Sequence, residues 1–523
     1  MDRGKSGRNK KILSVAAKIV AVIVMAVVFL IAKQGGGVSR ETEENGTENM
    51  VVIFGHEVDE HAKEIIFSGD EITDLSALAD GLRKLYDLKK VDLGSFHMPD
   101  EELAVLRAEF PGVDFECVTY KRVAGGLYPA DEEVLDLEGQ AVDFEVLERE
   151  LSEFNNLRGV TFGGDAVRAA DMEKLKAALP NVEFTAVLTY PVSGGEFRED
   201  STSIDVSGEP LAGNILSELS KFGSLRDVDL GRTGVDVSTL IELKKAFPEV
   251  IFHAEVELGG EMFDSEVEEI DLNSKDVGDF DLFFESTALF NNLKKLEMCD
   301  CGFSNEQMEM LRDTYPNTKF VWRVYLGIWS LRTDAVAFSV LIMASDKYTR
   351  MTSEDIQVLK YCTDLQALDI GHQEVSDLSV IGDYLTELRV LILADNKITD
   401  LSPLSKLEHL HYLEIFVNGV TDISPLAGCR ELVDLNISYN SRISDIEPLL
   451  DLPLLERLWL EHTSVPEKDA ELLRSTYPEA KIVSVGEGSV DQGWRTHPRY
   501  RAMIDMFHND YISEEFSKYD SRA

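Results

Sequence analysis

Five segments of the chain share the pattern LxxΦxΦ, where Φ is apolar: LKKVDL (88–93), LRGVTF (157–162), LRDVDL (225–230), LKKLEM (293–298) and LERLWL (455–460). In all five, a proline follows the first leucine by 23 residues, at Pro111, Pro180, Pro248, Pro316 and Pro478. A large apolar residue precedes each proline, and helix-spaced partners such as Leu103/Leu106, Leu240/Leu243 and Met308/Leu311 precede that residue. The spacing predicts a strand, a turn and a helix that stops at the proline, which lacks the N–H a helix needs. Ser304 with Gln307 is a capping-box signal for the fourth helix. After each of the first four prolines come an alternating strand, a glycine (Gly125, Gly194, Gly259, Gly327) and a second strand such as EEVLDL or EEIDL. This predicts a hairpin opening the next unit. The four early units recur every 68 or 69 residues, so a module is two repeat-sized turns plus a hairpin.

Between residues 365 and 464 the period shortens. The pattern LxxLxΦ begins at Leu365, Leu388, Leu410, Leu432 and Leu455, with Asn396, Asn418 and Asn440 at the ninth position of three units and DLSPL (400–404), DISPL (422–426) and DIEPL (445–449) following in phase. This stretch resembles the 22-residue leucine-rich repeats of the internalin family, and the exported chain as a whole resembles leucine-rich-repeat surface proteins of Gram-positive bacteria. Cys301 falls at the ninth position of its own unit, where such repeats accept Asn or Cys. The leucines of LxxLxLxxN turn inward and stack on those of the next coil, so a unit buries its core only through its neighbours. The asparagine amide satisfies backbone groups where the strand bends away, and Ser-Pro fixes a turn in the return segment. The expected fold is α/β: a leucine-rich-repeat solenoid, a curved parallel β-ladder with a helical or irregular convex side, behind an N-terminal transmembrane helix.

Strand alternation places positions 3, 5, 7 and 8 of each regular unit on the concave sheet surface. A solvated face should be mostly polar, yet Ile392, Tyr412, Phe416, Val417, Tyr439 and Trp459 cluster there beside Glu414 and His462. Aromatic residues ringed by acids suit recognition, since rings supply area with little rotamer entropy to lose. The expected partner-binding residues are therefore Ile392, Tyr412, Glu414, Phe416, Tyr439, Trp459 and His462. The other reading is that these side chains are covered by the chain's own tail or merely tolerated. Residues 484–523 leave the repeat pattern, and an open solenoid end needs a cap. Trp494, Tyr500, Met503, Met506 and Phe507 are spaced to supply one, and Arg495, His497 and Arg499 form the one basic cluster in an acidic exterior.

The amino terminus sets the expected location. Residues 1–11 are basic, 12–32 run apolar apart from Lys18, and 33–50 read as a Gly-rich, then acidic, linker. Twenty-one residues at about 1.5 Å each span a bilayer, and the flanking charge puts the amino terminus in the cytoplasm and the repeats outside. A cleaved signal peptide, which would leave the chain secreted, is the alternative. Beyond these segments the chain divides into four irregular modules of about 68 residues with hairpin insertions (51–350), regular repeats (351–483) and the tail (484–523).

The chain carries 96 acidic against 51 basic residues, a net charge of −45, which argues against nucleic acid as a partner. Five scattered cysteines make neither a disulfide framework nor a zinc site. Cys299 and Cys301 read as buried thiols, and His409 and His411 as surface residues between repeats. His56-Glu57-Val58-Asp59-Glu60-His61 misses HExxH by one residue, off the helical face a zinc pair needs. No constellation for catalysis, metal or cofactor stands above this acidic background. The expected function is non-catalytic binding of a protein or other surface macromolecule by the concave face. The rivals are an envelope scaffold or spacer, or an enzyme or enzyme subunit acting on wall glycans.

Overall fold

The computed structural model describes residues 49–211, 214–340 and 350–518. The expected cytoplasmic segment 1–11, the span 12–32 and nearly all of the linker lie outside the described residues. Among the described residues, no helix is long and apolar enough to cross a membrane. The chain divides into two compact units, the first ending at Asp165 and completed by Ala170–Ala186, the second formed by Ala166–Ala169 and Val187 onward.

The first unit opens on an antiparallel hairpin, Met50–Ile53 with His56–Asp59. Three parallel strands follow, Glu64–Ile66, Lys90–Pro99 and Asp114–Val123, with the helices Leu75–Leu82 and Asp100–Glu109 between them. Leu78, Leu82, Val91, Leu93, Leu103 and Leu106 pack into one core. The end of the third strand folds back on Gly126–Pro129, and Val134–Asp136 then starts a new parallel pair with Gly159, Val160 and Thr161. The hairpin turns on Ala124 and Gly125, both at positive φ, as a two-residue turn matched to strand twist requires. EEVLDL was expected to be the second hairpin strand. Instead GLYP at 126–129 takes that place, and EEVLDL supplies the first rung of the next ladder.

The second unit repeats the scheme. Hairpins meet at Val192/Gly195, Leu258/Glu261 and Leu326/Trp329. Between them lie two three-rung parallel ladders, Ser203–Asp205, Asp227–Asp229, Ile251–His253 and then Glu269–Asp271, Lys295–Glu297, Lys319–Val321. Seven parallel rungs end the series: Ala337–Ser339, Ala367–Asp369, Val390–Ile392, Tyr412–Glu414, Asp434–Asn436, Arg457–Trp459 and Lys481–Val483. One apolar spine runs from Val192 to Ile482 and includes Leu368, Leu391, Leu413, Leu435 and Leu458 at the rung centres.

The sequence signals act where they were placed. The helices before Pro111, Pro248, Pro316 and Pro478 end at Phe110, Phe247, Tyr315 and Tyr477, each of whose N–H donates to the carbonyl four residues back. The residue before proline is pushed out of the helical region, so the stop falls there. Both bonds of the Ser304/Gln307 capping box are formed. Asn418 donates through Nδ2 to the carbonyls of Leu393 and Ile415 at 2.9 and 3.1 Å and accepts the Ile398 N–H at 2.9 Å, and Asn396 and Asn440 do the same one coil away. Cys301 replaces this amide with a thiol 2.9 Å from the Leu272 carbonyl. The Ser-Pro segments start short 3₁₀ helices, Ser402–Lys406 and Ser424–Gly428.

Candidate functional site

Each of the five middle rungs from Ala367–Asp369 to Arg457–Trp459 is buried at all three positions, on both faces of the sheet. Inward leucines account for one face. The other is covered by the carboxyl-terminal segment: a strap from Val485 to His497, the helix Pro498–Asn509 and the short helix Glu514–Ser517. Val390, Ile392, Tyr412, Phe416 and Trp459 pack with Trp494, Met503, Met506, Phe507 and Phe516 in a second core, separate from the leucine spine. The tail was expected to cap the open end of that spine. It lies across the face of the ladder instead, where a row of large apolar side chains on successive rungs gives it apolar surface to bury.

The tail binds through matched polar groups as well as rings. Trp494 is fully buried, its ring centroid 5.0 Å from Trp459 and 5.4 Å from Tyr412, with the Arg457 guanidinium 4.5 Å above it. Its Nε1 donates to Glu414 Oε1 at 2.6 Å, and Tyr412 donates to the same oxygen. Burial pushes the pKa of Glu414 up, against the lowering effect of these two bonds. Beside it the buried Asp434 accepts from two guanidinium groups: Arg457 on the next rung, at 2.8 and 2.6 Å, and Arg499 of the tail helix, at 2.8 and 2.7 Å. Arg499 also reaches Glu456 Oε2 at 2.6 Å. Burial opposes the Asp434 carboxylate, yet the two guanidiniums outweigh it and hold its pKa below the usual range. Under the helix the buried Asp434 is thus matched by two buried guanidiniums, and the second positive charge is met by the solvent-exposed Glu456, which is what makes the burial tolerable. At the helix end, Asp510 takes a left-handed conformation and its Oδ1 accepts the N–H groups of Val336 and Ala337, at 2.7 and 2.9 Å, on the first of the seven rungs.

The seven expected partner-binding residues therefore divide. Ile392, Tyr412, Glu414, Phe416 and Trp459 share one face, as alternation required, but they are buried and not exposed. Tyr439 is half-buried and His462 exposed, stacked with ring centroids 4.3 Å apart. They stand at the rim because position 8 leaves the strand: His372, Asp395, Val417, Tyr439 and His462 all have φ between 52° and 58°. Alternation cannot anticipate that bend in residues other than glycine. Two residues outside the expected binding set are Asp434, at position 3 of its unit, and Arg499, read as part of a basic cluster. The available signal was a face carboxylate opposite the Arg457 of the next rung and a group of basic residues in the tail of so acidic a chain.

Elsewhere, His411 was expected at the surface but is buried, with Nε2 3.0 Å from Glu431 Oε2. His409 is half-buried against the same carboxylate. Cys299 and Cys301 are buried, and burial pushes both thiols up in pKa. His56 lies on a strand, bonded to Glu71 at 2.9 Å, and His61 is bonded to Asp87 at 2.9 Å. Among the described residues, no group of three or more His, Cys, Asp or Glu is arranged to hold a metal ion.

Residues 386–428 match the family model described as Leucine Rich repeats (2 copies). Among solved structures, the chain is similar to an internalin (inlF) from Listeria monocytogenes at 20% identity, over 65% of this chain and 83% of that one, with a TM-score of 0.26. It is similar to internalin C2 of the same organism at 22% identity, over 30% and 76%, with a TM-score of 0.23. A leucine-rich-repeat protein of Leptospira interrogans is 15% identical over 80% and 94%, with a TM-score of 0.26. No curated protein sequence matches the chain. The repeat match falls within the seven-rung ladder, so residues 386–428 of that ladder are leucine-rich repeats.

Proposed function

We propose that this leucine-rich-repeat protein is a non-catalytic binding module of a bacterial surface. The span 12–32 holds it in the membrane with the repeats outside. Its partner, a protein or other surface macromolecule, engages the ladder face at Ile392, Tyr412, Glu414, Phe416, Tyr439, Trp459 and His462. One observation carries this reading: the face already holds a peptide, with Trp494 and Arg499 seated in sites that the rungs build from rings and matched carboxylates. A partner reaches the buried members by displacing the tail, and first contact falls on Tyr439 and His462 at the rim. The full burial of Trp459 and Trp494 favours a second reading, in which the tail never leaves and the protein is an envelope spacer.

A photo-crosslinking residue at His462 in intact cells separates the two, used with and without Arg499→Ala and with a synthetic peptide of residues 485–509 as competitor. Binding by this face predicts a crosslinked partner whose yield rises with Arg499→Ala and falls with the peptide. A yield indifferent to both, or no partner at all, rejects it in favour of the spacer.

A further inference from the structure

Under the strap, at the end of the sixth rung, two carboxyl groups meet. Glu461 is fully buried, and its Oε1 lies so close to Gly486 that a Cβ there would stand 1.5 Å away. A larger residue at 486 would have to displace that carboxyl group. Asp491 is fixed from the strap side: its Oδ2 accepts the N–H groups of Glu487 and Gly488, both at 3.1 Å, and its backbone carbonyl accepts Trp459 Nε1 at 3.2 Å. Among the described residues, the remaining oxygens, Glu461 Oε2 and Asp491 Oδ1, are buried with no hydrogen-bond partner. Two carboxylate oxygens in reach of each other accept and cannot donate, so they bond only when one carries a proton.

We propose that Glu461 and Asp491 form a proton-operated latch on the tail: one proton shared between their carboxyl groups closes the strap on the ladder, and its loss to solvent loosens it. The latch regulates the face assigned above and takes its biological meaning from that reading, although its closure is measurable with no partner present. The other charged or titratable groups nearby are already engaged. Lys481 on the next rung bonds the Gln492 carbonyl and lies 5.3 Å over the Trp459 ring. His462 stacks on Tyr439, and Glu487 accepts the Tyr439 hydroxyl through its carbonyl at 3.1 Å. Gln492 Nε2 bonds the Val485 carbonyl at 2.6 Å and approaches Glu461 Oε1 only at 3.5 Å. None of these groups neutralises the pair.

Burial, then the Asp491 charge and its hydrogen bond, push Glu461 from 4.5 up to about 7 in the closed state. A carboxyl whose pKa is raised by closure favours closure in acid, and that preference declines as pH rises from the free to the closed value. The latch is thus shut near pH 5 and strained at pH 8.

The test is amide hydrogen exchange of the tail in the full chain, comparing wild type with Glu461→Gln and Asp491→Asn at one pH at a time, so that intrinsic exchange rates cancel. Either amide donates to the remaining carboxylate at any pH. At pH 8 the amides of Trp494 and of the helix Pro498–Asn509 should exchange at least about ten-fold faster in wild type than in either variant, and at pH 5 all three should agree. The same wild-type-to-variant ratio at both pH values overturns the latch and leaves the binding reading untouched. Wild-type protection at pH 8 that appears only with added calcium, and is absent in Glu461→Gln, overturns the proton in favour of a cation.

Discussion

The three-rung ladder at 203–253 and the seven-rung ladder at 337–483 share one inward pattern and differ on the other face. In the first, Ile204, Val228 and Phe252 are buried while the rung positions beside them are mostly charged and half-buried or exposed. His253 sits between Asp227 and Glu266 at 2.9 and 2.8 Å, in reach of water. Burial tends to lower its pKa, and the two carboxylates overcome that and raise it. In the second ladder the equivalent positions carry Tyr412, Asp434, Arg457 and Trp459, all buried. The inward leucine belongs to the repeat. The outward residue records what lies on it, and the same aspartate chemistry is a solvated pair in one place and a structural anchor in the other.

This contrast breaks most sharply at the rings. Trp459→Ala with Phe416→Ala should destabilise the seven-rung region by roughly 6 kcal/mol, since each large-to-small change in a packed core costs about 3 or more. Chemical denaturation with tail amides as the probe would read it, and a loss under about 1 kcal/mol would return these rings to the solvent-facing role first expected of them. Next in size, Asp434→Ala leaves two guanidiniums buried without their shared partner and should cost about 4 kcal/mol. Asp227→Ala, the matched change on the open ladder, should cost less than about 1 kcal/mol, because a half-exposed ion pair is screened by water. Equal losses at Asp434 and Asp227 in one denaturation series would mean that the two faces do not differ in the way described.

Much of the fold was legible because its signals are local and repeated. A leucine every turn, a proline after each helix, Ser304 with Gln307 and the asparagine at position nine each act within a few residues or on the adjacent coil. What lay on the ladder was harder to read. Tyr412 and Trp459 look alike in sequence whether they meet solvent, a partner or the Trp494 that follows them by 82 and 35 positions, since burial by a distant segment leaves no periodicity. The legible part of that contact was its charge: Asp434 and Arg457 oppose each other across adjacent rungs, and Arg499 stands in the basic cluster of the tail. Position 8 was misread for a different reason, because the bend that carries Tyr439 and His462 to the rim is a backbone property that His, Asp, Val and Tyr do not advertise.

The carboxylate of Asp510 seals N–H groups on the first rung, although some 170 residues of chain separate them. During synthesis the seven coils can therefore stack while their aromatic side still waits for its lid. For that interval the aromatic face is uncovered, and it stays so until the helix Pro498–Asn509 has been made.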